Sequence, residues 1–304
     1  MKDAATNEPA PAKEGVRPAV FVVIGILTLI WGTTYFVLKE GLEDLPPFTS
    51  VAVRFFLASV IFTVLSALYA EREGGERPTK RLAVVQGVLN LAVPYACVYW
   101  SETILPSGIV SVLWGAFPMF VATVASFLLP DERLRGRQWL GLLVGVLGLF
   151  VLFRTDFAEM GPDSVRAGLI VLIAPLAASF GQVLVKRDGA KVSSLRLNVG
   201  GMWVATTLLV LLSLWQERGA PIAWTPRAIF SVAYLVLLGT VVTFGLYFWA
   251  LRHAPAYMLS LVAYTTPVVA LTVGAVLGGE TVTGWTIGGM LLILSGVTLV
   301  LRRR

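Results

Sequence analysis

The sequence predicts an all-α integral membrane protein of ten transmembrane helices, arranged as two inverted five-helix repeats. Three observations carry this prediction: a succession of long apolar runs, a repetition of landmarks at a shift of 148 to 149 residues, and a one-sided distribution of the basic residues. Of the 304 residues, 57% are apolar and only 14% charged. The mean hydropathy is +0.80, whereas soluble domains are about half apolar and a quarter charged.

A bilayer core about 30 Å thick needs roughly 20 apolar residues per helical crossing. Runs of that kind occur at 19–38, 48–69, 82–101, 107–129, 136–153, 167–186, 195–215, 228–251, 256–277 and 284–301. They leave no room for a separate soluble domain. Residues 1–18 are long and mixed in charge, and the run from Ala19 passes Trp31 and Tyr35 without a small-x-small cleavage site. It therefore reads as helix 1 behind a cytoplasmic tail rather than as a removed leader.

The net charge of +6 follows from topology rather than from a nucleic-acid partner. With the N-terminus inside, the inner tails and loops hold 18 of the 24 Lys and Arg, among them Arg72, Arg77, Lys80, Arg81, Arg133, Arg135, Arg137, Lys186, Arg187, Lys191 and Arg302 to Arg304. The outer segments hold Lys39, Arg154, Arg166, Arg218 and Arg227, and Arg54 alone lies inside a helix. This is the positive-inside bias, and it places both termini in the cytoplasm. The single Cys97 and single His253 leave neither an intrachain disulfide nor a Cys/His metal constellation. No cofactor, metal or nucleic-acid partner is expected, and the lipid bilayer is the expected surrounding. The glycine run through Gly148 has no following Gly-Lys-Ser/Thr and is no nucleotide loop.

The two halves, 19–153 and 167–301, repeat. Lys39-Glu40-Gly41 matches Arg187-Asp188-Gly189 at a shift of 148; Tyr99-Trp100 and Pro106 match Phe248-Trp249 and Pro255 at 149. Ser111 and Pro118 match Ser260 and Pro267 at 149, and Glu132, Gly141 and Gly148 match Glu280, Gly289 and Gly296 at 148. A repeat of five crossings begins on one side of the membrane and ends on the other, so the second half is inverted. Inverted repeats recur in secondary transporters, where related halves open a central site alternately to each side.

Trp31-Gly32-Thr33 in helix 1, Arg54 in helix 2, and the passage from Pro118 through Leu-Leu-Pro-Asp-Glu132 to the Gly141 region resemble the drug/metabolite transporter superfamily, in its ten-helix EamA-type branch. The stretch 100–153 and its echo 249–301 carry the likeness most closely, and it extends over about 20–301. The resemblance implies a basket of helices around a central cavity, exporting small metabolites such as amino acids from the bacterial cytoplasm across the inner membrane. Tyr99-Trp100-Ser101-Glu102 before Pro106-Ser107-Gly108 is similar to the broad amino-acid and metabolite exporters of that branch.

Polar and aromatic stripes, read with the resemblance, single out a substrate-binding set: Trp31, Tyr35, Asn90, Tyr99, Ser111, Trp114, Gln182, Tyr247 and Tyr264. Ser107, Ser111, Trp114 and Pro118 share one face of helix 4, and Ser260, Tyr264 and Pro267 repeat it on helix 9. Gln86, Asn90, Pro94 and Cys97 make a stripe on helix 3, answered by Gly239, Thr243 and Tyr247 on helix 8. Asn90 has two uses open to it, a substrate contact or helix-to-helix hydrogen bonding. On helix 6, Ser179 and Gln182 stand at i, i+3.

Pro118 and Pro267, which free a carbonyl one turn earlier, mark the hinge or gating helices together with Arg54 and Glu102. Arg54 lies roughly 9 Å inside the outer end of helix 2 at 1.5 Å per residue. Glu40, Glu43, Asp44 and Glu102 stand near enough to neutralise it in a structural or gating ion pair; the resemblance implies an arginine there too. Trp139, Trp215, Trp224 and Trp285 fall at helix ends as interface anchors. Gly141-x-x-x-Gly145 and Gly284-x-x-x-Gly288 are spacings for close helix approach.

None of the 18 acidic residues falls at the middle of a predicted helix, so facilitated diffusion or exchange is expected over proton-driven antiport. An intramembrane enzyme would need paired aspartates or a Ser/His arrangement at membrane depth, and the sequence offers neither. A sugar-phosphate or nucleotide-sugar exchanger, the nearer rival together with a drug exporter, would need basic residues in the middle of helices 3, 4, 8 and 9, which have none. Neutral or zwitterionic cargo fits better. Oligomeric state is not legible, and a monomer suffices.

Overall fold

Each apolar run is helical, and most helices extend a few residues past the run into polar sequence. The computed structural model describes residues 18–129, 133–134, 136–253 and 256–301, apart from the side chains of 153–160, 248–249, 251–261, 263–264 and 301. Among the described residues the order is α1 (Pro18–Leu42), α2 (Pro47–Glu73), α3 (Lys80–Glu102), α4 (Ser107–Leu128), α5 (Gly136–Met160), α6 (Pro162–Asp188), α7 (Ser194–Gln216), α8 (226–253), α9 (Ala256–Leu277) and α10 (Gly284–Leu301). No strand forms among them, only one bridge between Glu76 and Val192. Seven helices are long and apolar enough to cross a membrane: α1 to α4, α6, α7 and the 226–247 stretch of α8. Apolar stretches of 10 to 17 residues occupy α5, α9 and α10.

Local sequence sets the helix starts. Proline fills the first turn of α2, α6 and α8, where its missing N–H is no loss. Thr79, Ser193 and Thr225 accept from the N–H three residues on, capping α3, α7 and α8. Two helices contain a π-helical turn, α3 at Gln86–Ala92 and α8 at Leu237–Val242. α4 is interrupted at Gly115–Ala116 just before Pro118, whereas α9 runs unbroken through Pro267.

Packing pairs α2 with α7, α5 with α10, α1 with α9 and α3 with α6. Between α2 and α7 the caps are reciprocal. Glu73, ending α2, accepts from the Ser193 and Ser194 hydroxyls and from Leu195 N at 3.1 Å. Glu217, just past α7, accepts from Phe48 N and Thr49 N, both at 2.7 Å. Each helix thus places a carboxylate at the positive end of the other's dipole.

Between α5 and α10 two glycine pairs set the approach. A Cβ on Gly141 would stand 2.7 Å from the Gly296 carbonyl oxygen, and one on Gly148 would stand 2.8 Å from that of Gly289. Gly145 faces the Met119 side chain. The expected approach at Gly284 and Gly288 does not occur: a Cβ on either would meet nothing within 4 Å. Gly289, one residue and about 100° further round the helix, makes the contact instead.

The exterior carries the apolar side chains a bilayer requires, such as Val22, Leu29, Val64, Leu143, Leu147, Leu169 and Leu211. The anchors Trp139, Trp215, Trp224 and Trp285 are 48 to 71% exposed. Beyond the helix ends, Asp44 joins the α1–α2 turn to the approach to α8, accepting from Thr225 Oγ1 at 2.6 Å and from Arg227 Nε at 2.8 Å.

Two predictions follow from this packing. Gly148→Leu should lower stability by about 1–3 kcal/mol through overpacking, whereas Gly288→Ala, made into open space, should stay within about 0.5 kcal/mol of the parent; unfolding in detergent measures both. The Arg227 guanidinium and the Thr225 hydroxyl hold the Asp44 carboxyl below its ordinary value of 3.8. A lowered folded value means the stabilisation is full above the unfolded value and is lost as pH falls through the folded one. The stability difference between the parent and Asp44→Asn should therefore be flat from about pH 5 to 8 and shrink below about pH 4, as thermal midpoints across pH would record.

Candidate functional site

Arg54 is the centre of the site. It projects from the second turn of α2 and is only 3% exposed, in a region where apolar side chains fill the rest of the space. An unpaired charge there would carry a desolvation cost of several kcal/mol. Neutral oxygens meet it instead. Nε and Nη2 donate to Thr240 Oγ1 at 3.2 and 3.1 Å, Nη2 donates to the Gly239 carbonyl at 3.3 Å, and Nη1 donates to the Tyr99 hydroxyl at 3.2 Å. The Tyr95 ring lies 5.0 Å away for a cation–π contact and is held edge-on by Phe55 at 4.8 Å.

Gly239 and Thr240 belong to the π turn of α8, which presents a carbonyl and a hydroxyl to the guanidinium together; Thr240 in turn donates to the Leu235 carbonyl at 2.9 Å. The expected ion pair of Arg54 with Glu40, Glu43, Asp44 or Glu102 is therefore corrected. Asp44 is taken by Arg227 and Thr225, and Glu102 lies within electrostatic reach of Arg54 without a hydrogen bond to it.

Glu102, the last residue of α3, is 1% exposed, and neither carboxylate oxygen has a hydrogen-bond partner. The hydroxyls of Ser107 and Ser111, on the first two turns of α4, are buried and equally without partners. Lys39, Glu280, Arg54, Tyr35 and Tyr99 interact electrostatically with Glu102. Glu280, in contrast, is fully used. It accepts from Ser107 N at 2.7 Å and Gly108 N at 3.0 Å, capping α4, and lies 3.9 Å from Lys39 Nζ. Lys39 itself donates to the Leu105 carbonyl at 2.7 Å.

Of the residues expected from sequence, Arg54 and Tyr99 bond directly, and Glu102 and Tyr35 lie within electrostatic reach; Ser111 is buried on α4. Trp31 and Tyr247 make their own contact, ring to ring at 5.8 Å, and Trp114 stacks on Phe117 at 5.8 Å. Asn90 sits in the π turn of α3 and donates to Gln86 Oε1 at 2.8 Å, and Gln86 donates to Asn198 Oδ1 on α7 at 3.1 Å. Gly181 of α6 is pressed on the Asn90 amide; Asn90 bonds within its own helix, and Gln86 carries the contact to α7. Gln182 is exposed and stands apart from the cluster. The Tyr264 side chain lies outside the described residues, as does Ser260. Pro118 follows a true break; Pro267 does not mark one, and its ring is 3.4 Å from where a Cβ on Gly115 would be.

Four residues of the site were not singled out. Tyr95, one turn before Tyr99, had a readable signal in that spacing, and Glu280 had one as the repeat mate of Glu132. Thr240 gave none, and Lys39 counted only as an outer charge. Two surface grooves of about 230 and 200 Å³ lie elsewhere, one along α2 and α7 at Phe56 and Leu214, the other on α1 and α8 at Phe36 and Phe230.

Comparison with known proteins agrees with the resemblance. The EamA-like transporter family matches twice, over residues 19–154 and 165–302. The uncharacterized transporter YoaV of Bacillus subtilis is 26% identical over 280 residues, 91% of this chain and 96% of its own. The uncharacterized inner membrane transporter YedA of Escherichia coli K12 is 28% identical over 265 residues, 86% and 84% of the two chains. Protein PecM of Dickeya dadantii is 25% identical over 277 residues, 89% and 88%. A solved crystal structure superposes with a TM-score of 0.65 at 19% identity, covering 94% of this chain and 97% of that one, which speaks to the fold alone. With both halves matched, the chain belongs to the EamA-like transporter family and is a membrane transporter.

Proposed function

We propose that this transporter exports amino acids or related small metabolites across the bacterial inner membrane, both termini in the cytoplasm, by alternating access of two inverted five-helix halves. The observation that carries the reading is the polar island at Arg54. Groups from α2 and α3 of the first half and α8 of the second meet there in an otherwise apolar interior. Intramembrane ionisable residues facing a bundle interior are characteristic of substrate and ion pathways.

Reciprocal contacts support the inverted arrangement. Gly141 and Gly148 match Gly289 and Gly296 in sequence, yet Gly141 packs on Gly296 and Gly148 on Gly289, as two related helices do when they cross about a two-fold axis. The mutual caps of α2 and α7 and the π turns of α3 and α8 follow the same relation. The family's double match supports it as well, and the name of the Escherichia coli relative supports the inner membrane.

Zwitterionic or neutral cargo is favoured over sugar phosphates because the Arg54 donors are largely engaged by protein oxygens, which an anion would have to displace. Aromatic surfaces at Tyr35, Trp31 and Trp114 suit apolar or aromatic side chains of a substrate. The expectation of uncoupled carriage rested on helix middles free of acids; Glu102, at a helix end but fully buried, makes the pH gradient a necessary arm of the test.

Purified protein in liposomes, given radiolabelled amino acids, sugar phosphates and cationic drugs with and without a pH gradient, should carry several amino acids without the gradient. Silence for amino acids with flux of phosphorylated sugars or drugs would overturn the substrate assignment.

A further inference from the structure

Among the described residues, the buried side-chain oxygens without a hydrogen-bond partner are those of Glu102, Ser107 and Ser111. They cluster in sequence where α3 hands over to α4, and each residue is 0 or 1% exposed. A fold that satisfies Arg54, Glu280, Glu73 and Glu217 with care leaves one carboxylate unserved at the buried end of α3. Buried polar groups are nearly always paired, so an orphan calls for an explanation such as a missing ligand.

None of the neighbours hydrogen-bonds it. From α1, Lys39 donates to the Leu105 carbonyl and stands beside Glu280, and Tyr35 faces Glu102 without a hydrogen bond to it. From α2, Arg54 is spread over Tyr99, Thr240 and Gly239. On α3, Tyr99 accepts from Arg54 and Tyr95 turns its ring face to it. Ahead of α10, Glu280 is a second carboxylate, engaged with the first turn of α4. The Glu102 oxygens are thus acceptors open to hydrogen-bond donors. A primary ammonium has three N–H donors and no acceptor, the complement of an unpartnered carboxylate.

We propose that Glu102 is the docking residue for an ammonium group of the cargo, with the Ser107 and Ser111 hydroxyls as further acceptors, so that the transporter selects molecules bearing a free protonated amine. This rests on the reading of the chain as a metabolite exporter and adds the chemical class that this buried carboxylate recognises. An N-acylated amino acid lacks the ammonium and is excluded. An amine that lacks the carboxylate is accepted, because Arg54 is held by the protein and is not the cargo's principal anchor.

The test is the thermal midpoint of the purified full-length protein in detergent, titrated with 3-methylbutylamine, L-leucine, N-acetyl-L-leucine or sodium chloride at matched ionic strength. The first two should stabilise the parent at concentrations at least tenfold below those needed with N-acetyl-L-leucine or sodium. Glu102→Gln should lose that preference while its own midpoint stays equal or rises, since it replaces an unpartnered carboxyl with a near-isosteric neutral amide. Should Glu102→Gln fail to fold, Ser111→Ala removes only an unpartnered hydroxyl and should weaken the amine response severalfold.

An equal amine response in parent and Glu102→Gln, an unchanged one in Ser111→Ala, or stabilisation by sodium as strong as by amine would overturn the proposal. An amine response that depends on Glu102 without amino-acid flux in liposomes would sink the export reading alone. Amino-acid flux with an amine response indifferent to Glu102 would sink this inference alone.

Discussion

Burial of the Arg54 guanidinium inside a membrane bundle is the constraint around which the rest of this structure is organised. A charge at that depth persists only if its donors are met, and the donors of Arg54 are met by the Tyr99 hydroxyl, the Thr240 hydroxyl and the Gly239 carbonyl. To present the last two together, α8 departs from α-helical winding over Leu237–Val242; π turns of this kind concentrate at functional sites. The same contacts tie α2 and α3 to α8. The charge therefore joins the two family matches of the chain at one buried point.

The counterpart of this contact in the other half is instructive by its difference. The π turn of α3 meets α7 much as that of α8 meets α2, but a Cβ on Gly87 would stand 2.6 Å from the Gly201 carbonyl oxygen, backbone against backbone. Where one crossing is filled by an arginine, the other is closed by two glycines and an amide relay through Gln86 and Asn198. In the inverted-repeat reading, the site is thus built from a symmetric frame with chemistry on one side of it. Beyond the end of α1, Glu280 caps the first turn of α4 and Asp44 pairs with Arg227.

Much of this was legible in sequence, and the failures have physical causes. Each apolar run falls in a helix of the described residues, seven of them long and apolar enough to cross a membrane, with ends displaced by a few residues because helical propensity continues into the polar flanks. Tyr35, Tyr99, Arg54 and Glu102 were singled out and do converge. The partners of Arg54 were misjudged because acids are conspicuous in sequence and neutral acceptors are not: Asp44 lies close along the chain yet belongs to Arg227, while Thr240, 186 residues away, gives no signal. Gly288 and Gly289 differ by one position and about 100° of helix, finer than a spacing rule resolves. Pro118 and Pro267 look alike in sequence, but only the first follows an interruption of its helix, at Gly115–Ala116.

The central claim is that a guanidinium, and not merely a positive charge, holds the two halves together at the site. Arg54→Lys tests it most directly, by thermal unfolding and amino-acid flux in liposomes on the same preparation. One ammonium cannot span the Tyr99 hydroxyl, the Gly239 carbonyl and the Thr240 hydroxyl in the geometry of a planar fork. Losing one or two charged hydrogen bonds at about 1.5–3 kcal/mol each should lower the midpoint and abolish most of the flux. A lysine variant as stable and as active as the parent would contradict the account and reduce Arg54 to a generic buried cation.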